Sequence, residues 1–258
     1  WKRGSGMWPF DCRNVVAQHN HFLNAHGPID SYGAHIDYGN ENVVFQYNLS
    51  YNNEGGFVEI LGDNINCGYR YNISINDGYR IDPEGVHNGR TYNVSDYCGV
   101  NNAGCPSVGL FIYNNTIFIG DTIHPEIRIK PEIGELHCYN NLLYCTPSGE
   151  ELPCIVDEEN NELSFSHNLY FDANRMNLAD AITANAVFGD PLLMDQDDLG
   201  SVNPAGYRIG LGSPAFQTGI FPSDLIAPNS FFDPSNAGYF GGGVGSDAPP
   251  SILSLIHI

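Results

Sequence analysis

The feature that most constrains this sequence is a repeated dipeptide in which an aromatic residue or histidine precedes asparagine. The copies are His19-Asn20, Tyr47-Asn48, Tyr71-Asn72, Tyr113-Asn114, Tyr139-Asn140 and His167-Asn168. Each lies in a short run of alternating apolar and polar residues, which is typical of a β-strand, and clusters of Gly or Asn separate the runs. The asparagines follow one another at intervals of 28, 24, 42, 26 and 28 residues. A period of this size predicts a solenoid of stacked β-rungs, and no run keeps the 3.6-residue period of helical repeats.

The repeated asparagine has a physical role in such a stack. Its amide can bond the backbone at a tight bend and also the equivalent asparagine of the next rung. The long interval holds either two rungs, with Tyr92-Asn93 marking the extra one, or one rung that carries a long loop.

These rungs resemble the pectin-lyase-like right-handed parallel β-helix repeats of secreted bacterial proteins. The segments 188–192, 207–209 and 212–215 are similar to the tail that often follows such a helix. The resemblance implies an all-β, right-handed parallel β-helix, with rungs over residues 1–185 and a C-terminal extension over residues 186–248 that packs on the helix end. Residues 249–258 are expected to be a non-native or disordered tail. Since this fold hosts lyases, hydrolases, esterases and adhesins, it does not settle the activity.

The termini and cysteines bear on the location of the protein. Residues 1–4 carry no export signal, so we expect an N-terminally truncated chain, and the apolar residues 253–258 are too few to cross a bilayer. Cys98 and Cys105 bracket one short polar stretch, and Cys145 and Cys154 bracket another. Both pairs are predicted disulfides of an oxidising compartment. We therefore expect a secreted or cell-surface protein, bacterial extracellular or periplasmic.

The charge balance limits the possible partners. The chain has 10 lysines and arginines against 30 aspartates and glutamates, which gives a formal net charge of −20. Such a surface repels nucleic acid, anionic membranes and acidic polysaccharides, the last unless a divalent cation bridges the two. A saline habitat is an alternative explanation of this charge. We expect a monomer that binds a polysaccharide or oligosaccharide, and neither nucleic acid nor membrane.

Three segments, at residues 33–37, 56–61 and 78–82, align as successive rungs. In both registers the aliphatic residues form an inward column, and the charged residues point outward, as period two requires. The first register gives the stacked pairs His35–Glu59, Ile36–Ile60 and Asp37–Leu61. The second register gives the pairs Phe57–Arg80, Val58–Ile81 and Glu59–Asp82.

The outward carboxylates predict acid–base chemistry. Outward residues of adjacent rungs lie about 5 Å apart when stacked and roughly 7–8 Å apart on a diagonal, which are the carboxyl separations of glycoside hydrolysis. Like charges at this distance raise one pKa, which yields one acid and one ionised base. Glu59 is thus the predicted acid, Asp37 the base or nucleophile, and Asp82 the alternative carboxylate.

Neighbouring side chains are predicted to bind the substrate. His35 and Arg80 would position it, and Tyr32 and Tyr38 would stack on sugar rings. The longest connections, residues 25–33 and 82–89, should wall a cleft above Asp37 and Glu59. Its walls would then be Asp30, Ser31 and Tyr32 on one side and Glu84 and His87 on the other.

Other functions remain open at the level of sequence. The predicted function is polysaccharide processing, with glycoside hydrolysis preferred. In one alternative, Asp37, Glu59 and Asp82 would hold calcium and Arg80 would be the base of a polysaccharide lyase. In another, a non-catalytic glycan-binding or surface β-helix carries acids that are only solvated. Arg128 and Lys130 share one face of a strand, either as a contact for an anionic sugar or as a solubilising pair.

Overall fold

The chain forms an all-β structure with short 3₁₀ helices. The computed structural model describes residues 4–81, 87–99, 104–159, 161–171, 173–210, 212–215 and 219. Within these residues there are seventeen strands, numbered here β1 to β17 in chain order, which form three sheets. No helix in these ranges is long and apolar enough to cross a bilayer.

We name the sheets A, B and C. Sheet A contains β1 (Arg13–Gln18), β3 (Glu41–Gln46), β6 (Ile65–Arg70), β9 (Ser107–Tyr113), β12 (Gly134–Tyr139) and β15 (Glu162–Ser166). Sheet B contains β2 (His21–Leu23), β4 (Leu49–Tyr51), β7 (Ile73–Ile75), β10 (Thr116–Ile119), β13 (Leu142–Cys145), β16 (Leu169–Phe171) and β17 (Val187–Phe188). Sheet C contains β5 (Gly56–Ile60), β8 (Arg90–Val94), β11 (Glu126–Ile129) and β14 (Cys154–Val156). The 3₁₀ helices span Ala173–Arg175, Asp180–Thr183, Gln196–Asp198 and Pro204–Tyr207.

The order of the strands shows how the chain is wound. From β3 to β16 the chain visits sheets A, B and C in turn, and each new strand pairs in parallel with the previous strand of its own sheet. This arrangement fits a parallel β-helix. The long interval contains one turn, because β6 pairs directly with β9 and β8 is the only strand of sheet C between β5 and β11. The extra residues lie on either side of β8.

A ladder of asparagine side chains joins successive turns where sheet A leads into sheet B. We call it the first ladder; it contains Asn20, Asn48, Asn72, Asn115, Asn141 and Asn168. In each step the Nδ2 of one asparagine donates to the Oδ1 of the next at 2.9–3.1 Å. The prediction placed Asn114 and Asn140 in this ladder, but the ladder residues are the asparagines that follow them, Asn115 and Asn141. Asn114 and Asn140 have φ angles of 54° and 53° and hold the left-handed position that an aromatic residue or histidine holds in the other turns.

The interior between the sheets is apolar. Alternate residues of each strand point inward and pack from turn to turn, as the period-two pattern requires. The core includes Ile36, Val43, Phe45, Ile60, Tyr69, Val94, Leu110, Ile127, Leu136 and Phe165. The alternate residues of sheet C therefore face away from this core.

The C-terminal segment covers the side of sheet B. Leu193, Tyr207 and Ala215 are buried against outward residues of sheet B, from Leu49 to Leu169. Residues 186–248 were predicted to pack on the end of the helix; β17 extends sheet B at that end, whereas Leu193, Tyr207 and Ala215 lie along the side of the sheet. The outer face of sheet B is apolar, and burying it along its length removes more apolar surface from water than capping one end. The predicted tail at residues 249–258 lies outside the described residues.

The cysteines follow the predicted pairing in part. Cys98 and Cys105 are joined by a disulfide. Cys154 is a free thiol, so the predicted bridge from Cys145 to Cys154 is not formed. The reason is positional, because Cys145 lies buried at the end of a strand in sheet B and Cys154 begins a strand in sheet C.

Candidate functional site

The site is built on the outward face of sheet C and its neighbouring turns. Ile36 pairs with Ile60, and the N–H of Ile36 donates to the carbonyl of Glu59 at 2.8 Å. Since Ile36 and Ile60 both point into the core, His35 and Glu59 both point outward on adjacent turns. The register predicted for these two segments is the one that the structure has.

The register predicted for the next turn is wrong. Val58 lies beside Tyr92 of β8 rather than beside Ile81, and Glu59 lies beside Asn93. Residues 78–81 belong to the insertion before β8, which breaks the period on which the prediction depended. Asp82 and Glu84 lie outside the described residues.

His35 lies between two carboxylates. Its Nδ1 is 3.3 Å from Oε2 of Glu59, and its Nε2 is 3.7 Å from Oδ2 of Asp37. The other oxygen of Glu59, Oε1, accepts from Nδ2 of Asn93 at 2.5 Å. The imidazole thus lies within ion-pair distance of both carboxylates, so its charge is coupled to theirs.

Burial and charge act in opposite directions on this group. Burial disfavours the imidazolium, but the nearby carboxylates of Asp37 and Glu59 outweigh it and raise the pKa of His35. Burial also raises the pKa of Glu59, and Asp30 adds to this rise, while His35 opposes it. Both groups therefore hold protons more tightly than in water.

The backbone of Asp37 is fixed by a second ladder, which comprises Asn40 and Asn64 on adjacent turns. The N–H of Asn40 donates to Oδ1 of Asn64 at 2.9 Å. Both side chains also donate to the carbonyl of Asp37, at 2.7 Å and 2.9 Å. Ser107 replaces asparagine on the next turn, where its Oγ accepts from the N–H of Asn64. The position of Asp37 thus depends on hydrogen bonds from two different turns.

A small cavity of about 80 Å³ opens beside this group. Its lining residues are Ser5, Trp8, Asp30, His35 and Asp37. The Trp8 side chain is 52% exposed, and its ring stacks on His35 with the centroids 6.1 Å apart. Two carboxylates, an imidazole and an exposed indole thus meet at one cavity.

Glu59 lies beneath this cavity. It is 7% exposed and is not among the residues that line the cavity. Its side chain contacts His35, which does line the cavity. The geometry therefore gives Glu59 a positioning role through His35 and leaves Asp37 in direct reach of a ligand.

Arg80 holds the loop that supplies Asp30. Its Nη1 donates to the carbonyl of Ile29 at 2.6 Å, and its Nη2 donates to the carbonyls of Gly27 and Asp30 at 3.1 Å and 2.9 Å. Its Nε is 3.7 Å from Oε1 of Glu54. These contacts occupy the guanidinium, so Arg80 is a loop-holding residue rather than the predicted substrate contact or lyase base.

The three remaining predicted contacts lie around the site. Tyr32 is fully buried and packs edge-on against His35, so it offers no surface to a sugar. Tyr38 is half-buried and contacts Phe10 edge-on, with ring centroids 4.8 Å apart. His87 packs on Tyr32, and burial together with nearby Arg90 lowers its pKa to about 4. None of the three lines the cavity.

Trp8, the exposed aromatic side chain of the cavity, was not among the residues predicted from the sequence. Met7 pairs with Ala34, so Trp8 lies beside His35, at the equivalent position of the preceding turn. The spacing of 27 residues between Met7 and Ala34 was the available signal, because it matches the repeat. The dipeptide that marks the other turns does not precede Trp8, so this turn escaped notice.

Of the three predicted calcium ligands, Asp37 and Glu59 flank His35, and Asp82 lies outside the described residues. The imidazole of His35 lies between Asp37 and Glu59, where a shared ion would have to bind. In the described part of the chain, no group of three or more His, Cys, Asp or Glu side chains could hold a metal ion.

Comparison with known proteins gives one informative relative. No family model matches the chain. The chain is 25% identical over 246 residues to Lacto-N-biosidase of Bifidobacterium longum subsp. longum. The match covers 86% of this chain but 14% of that protein, so the chain spans a small part of the relative's length.

Proposed function

We propose that the chain carries the glycan-cleaving site of a glycoside hydrolase, with Asp30 and Asp37 as the catalytic pair. The observation that carries this proposal is the cavity lined by both carboxylates, by His35 and by the exposed ring of Trp8. Glycoside hydrolysis requires two carboxyl groups that flank one glycosidic bond. An exposed indole offers the apolar face on which a sugar ring stacks.

The two carboxyl groups have different surroundings. Asp37 faces Nε2 of His35, whose proton attracts negative charge, so Asp37 is the base or nucleophile. Asp30 is then the proton donor to the leaving sugar oxygen. Glu59 sets the charge of His35 from below, and Arg80 fixes the backbone of Asp30.

The proposal also includes the hand of the β-helix and the compartment in which the protein is found. We propose a right-handed parallel β-helix, because parallel strands of one sheet are connected almost always with that hand. The disulfide between Cys98 and Cys105 supports an oxidising, extracellular or periplasmic location. The name of the relative suggests lacto-N-biosides as the first substrates to assay.

The test is hydrolysis by the Asp30→Asn and Asp37→Asn variants. Wild-type protein is assayed for new reducing ends on an aryl lacto-N-bioside and a panel of neutral oligosaccharides. Each variant should lose about 10²–10⁴-fold in kcat, because each lacks one partner of the acid–base pair. Asp121→Asn, at an exposed turn, is the matched control and should keep full activity.

Two outcomes contradict the proposal. Hydrolysis that persists in both variants removes the assignment of the pair. Glycan binding without turnover in the wild type favours a non-catalytic binding protein.

A further inference from the structure

Two cations on the outward face of sheet C lack partners. Arg128 lies beside Asn93, which lies beside Glu59, so Arg128 stands two turns along the sheet from the candidate site. Lys130 is the next outward residue of the same segment. In the part of the chain that the structure describes, neither side chain makes an ion pair or a hydrogen bond, and Nε of Arg128 is buried without a partner.

The acidic groups nearby are already engaged. Glu126 is 3.4 Å from Nε of Arg90, and Asp96 accepts from the N–H of Gly104. Glu59 contacts His35 and Asn93. None of these acids forms an ion pair with Arg128 or Lys130, although Asp96 and Glu59 favour the charged form of Lys130 from a longer distance.

Positive charge is concentrated at this place. Burial is the main cause that lowers the pKa of Lys130; Arg90 and Arg128 lower it further, and Asp96 and Glu59 oppose this change. A partly buried cation without a partner is costly unless an anion is supplied. An arginine fork matches the two oxygens of a carboxylate or a sulfate.

We propose that Arg128 and Lys130 form a subsite for a single acidic group carried by an otherwise neutral glycan. This inference rests on the proposed function, because the ligand is taken to be a glycan whose cleaved bond lies at the cavity. Neighbouring strands are about 4.8 Å apart, so three steps from Asp37 to the level of Lys130 span roughly 14 Å. A polyanion is disfavoured because the rest of the surface repels it.

The test is a binding measurement that needs no turnover. Isothermal titration in an Asp37→Asn background compares 6′-sialyllactose, which carries one carboxylate, with neutral lactose, and includes inorganic sulfate as an anion without sugar. The acidic sugar should bind about tenfold more tightly than lactose, and more tightly than sulfate. Arg128→Gln combined with Lys130→Gln should remove this tenfold preference and leave lactose binding unchanged.

Matched variants keep the test decisive. Lys130→Gln alone, at a half-buried position, should fold normally and lose part of the preference. Arg13→Gln, an exposed arginine on sheet A, should lose none. Equal binding of sialyllactose and lactose by the parent protein overturns the proposal. So does sulfate binding as tight as that of sialyllactose, or a preference that survives in the double variant. The hydrolysis measured for the Asp30→Asn and Asp37→Asn variants tests the catalytic pair at the cavity and not this subsite.

Discussion

At the scale of single residues, the central feature is an imidazole held between two acids. His35 contacts Glu59 through one ring nitrogen and Asp37 through the other. Because Asp37 lines the cavity and Glu59 does not, these two acids have unequal roles. One meets the ligand, and the other sets the charge of the histidine behind it.

Replacing Glu59 by Gln should lower the pKa of His35. The charge of Glu59 is one of the interactions that raise this pKa, and glutamine keeps the shape without the charge. Titration of the His35 ring proton by NMR measures the shift, and the pH profile of kcat/KM should move in the same direction. An unchanged His35 titration would show that Glu59 does not control this group.

At the scale of elements, the loop at residues 25–33 is fixed by the side chain of Arg80, which lies two turns away along the helix. Arg80→Gln should free this loop, because three carbonyls lose their donor. We expect a loss of about 2–4 kcal/mol in the free energy of unfolding and faster hydrogen exchange in the loop. Activity should fall mainly in kcat, since Asp30 is displaced.

Two further variants test this role of the arginine. Arg80→Lys keeps the charge but not the fork, so it should restore only part of the protection of the loop. Arg13→Gln is the exposed control. Normal hydrogen exchange of residues 25–33 in Arg80→Gln would contradict the role.

Part of the fold was predictable from sequence because the repeat reflects hydrogen bonds and core packing between successive turns. Alternation and the asparagine ladder gave the strands and placed His35 over Glu59. The first ladder was misassigned at Asn114 and Asn140, since asparagine suits both the left-handed position and the ladder position, and sequence cannot separate adjacent asparagines. The partner of Glu59 was missed because the insertion before β8 hides the period.

The cavity was harder to predict than the strands. Its residues come from different turns, and Ser5 and Trp8 belong to a turn that the repeated dipeptide does not mark. Asp30 was expected only as part of a wall, because loop conformation depends on contacts such as those of Arg80 and not on local pattern. Loops on a regular scaffold are where sequence periodicity carries no information.

At the scale of the whole molecule, stability should depend on pH through a buried acid. Asp77 accepts from Asn53 and Ser74, and burial raises its pKa to about 6 from an ordinary value of 3.8. A raised folded pKa means that the native state binds the proton more tightly than the unfolded state. The stabilisation is therefore fully present below about pH 4 and is lost as the pH rises through about 6.

Asp77→Asn should consequently be more stable than the wild type at pH 7.5, by on the order of 3 kcal/mol, and about equal to it at pH 4. Urea unfolding at the two pH values measures this difference. Asp63→Asn, at an exposed position, is the control and should show no such pH-dependent gain. A constant difference between variant and wild type at both pH values would contradict the prediction.

The second ladder has a consequence for how such a protein can diverge. Asn40 and Asn64 hold two turns together and also hold the carbonyl of Asp37. A substitution in either one alters folding and chemistry at once, so selection cannot adjust the two separately. New specificities should therefore arise through changes at Trp8 and in the loop of Asp30, while the two asparagines persist in descendants that remain active.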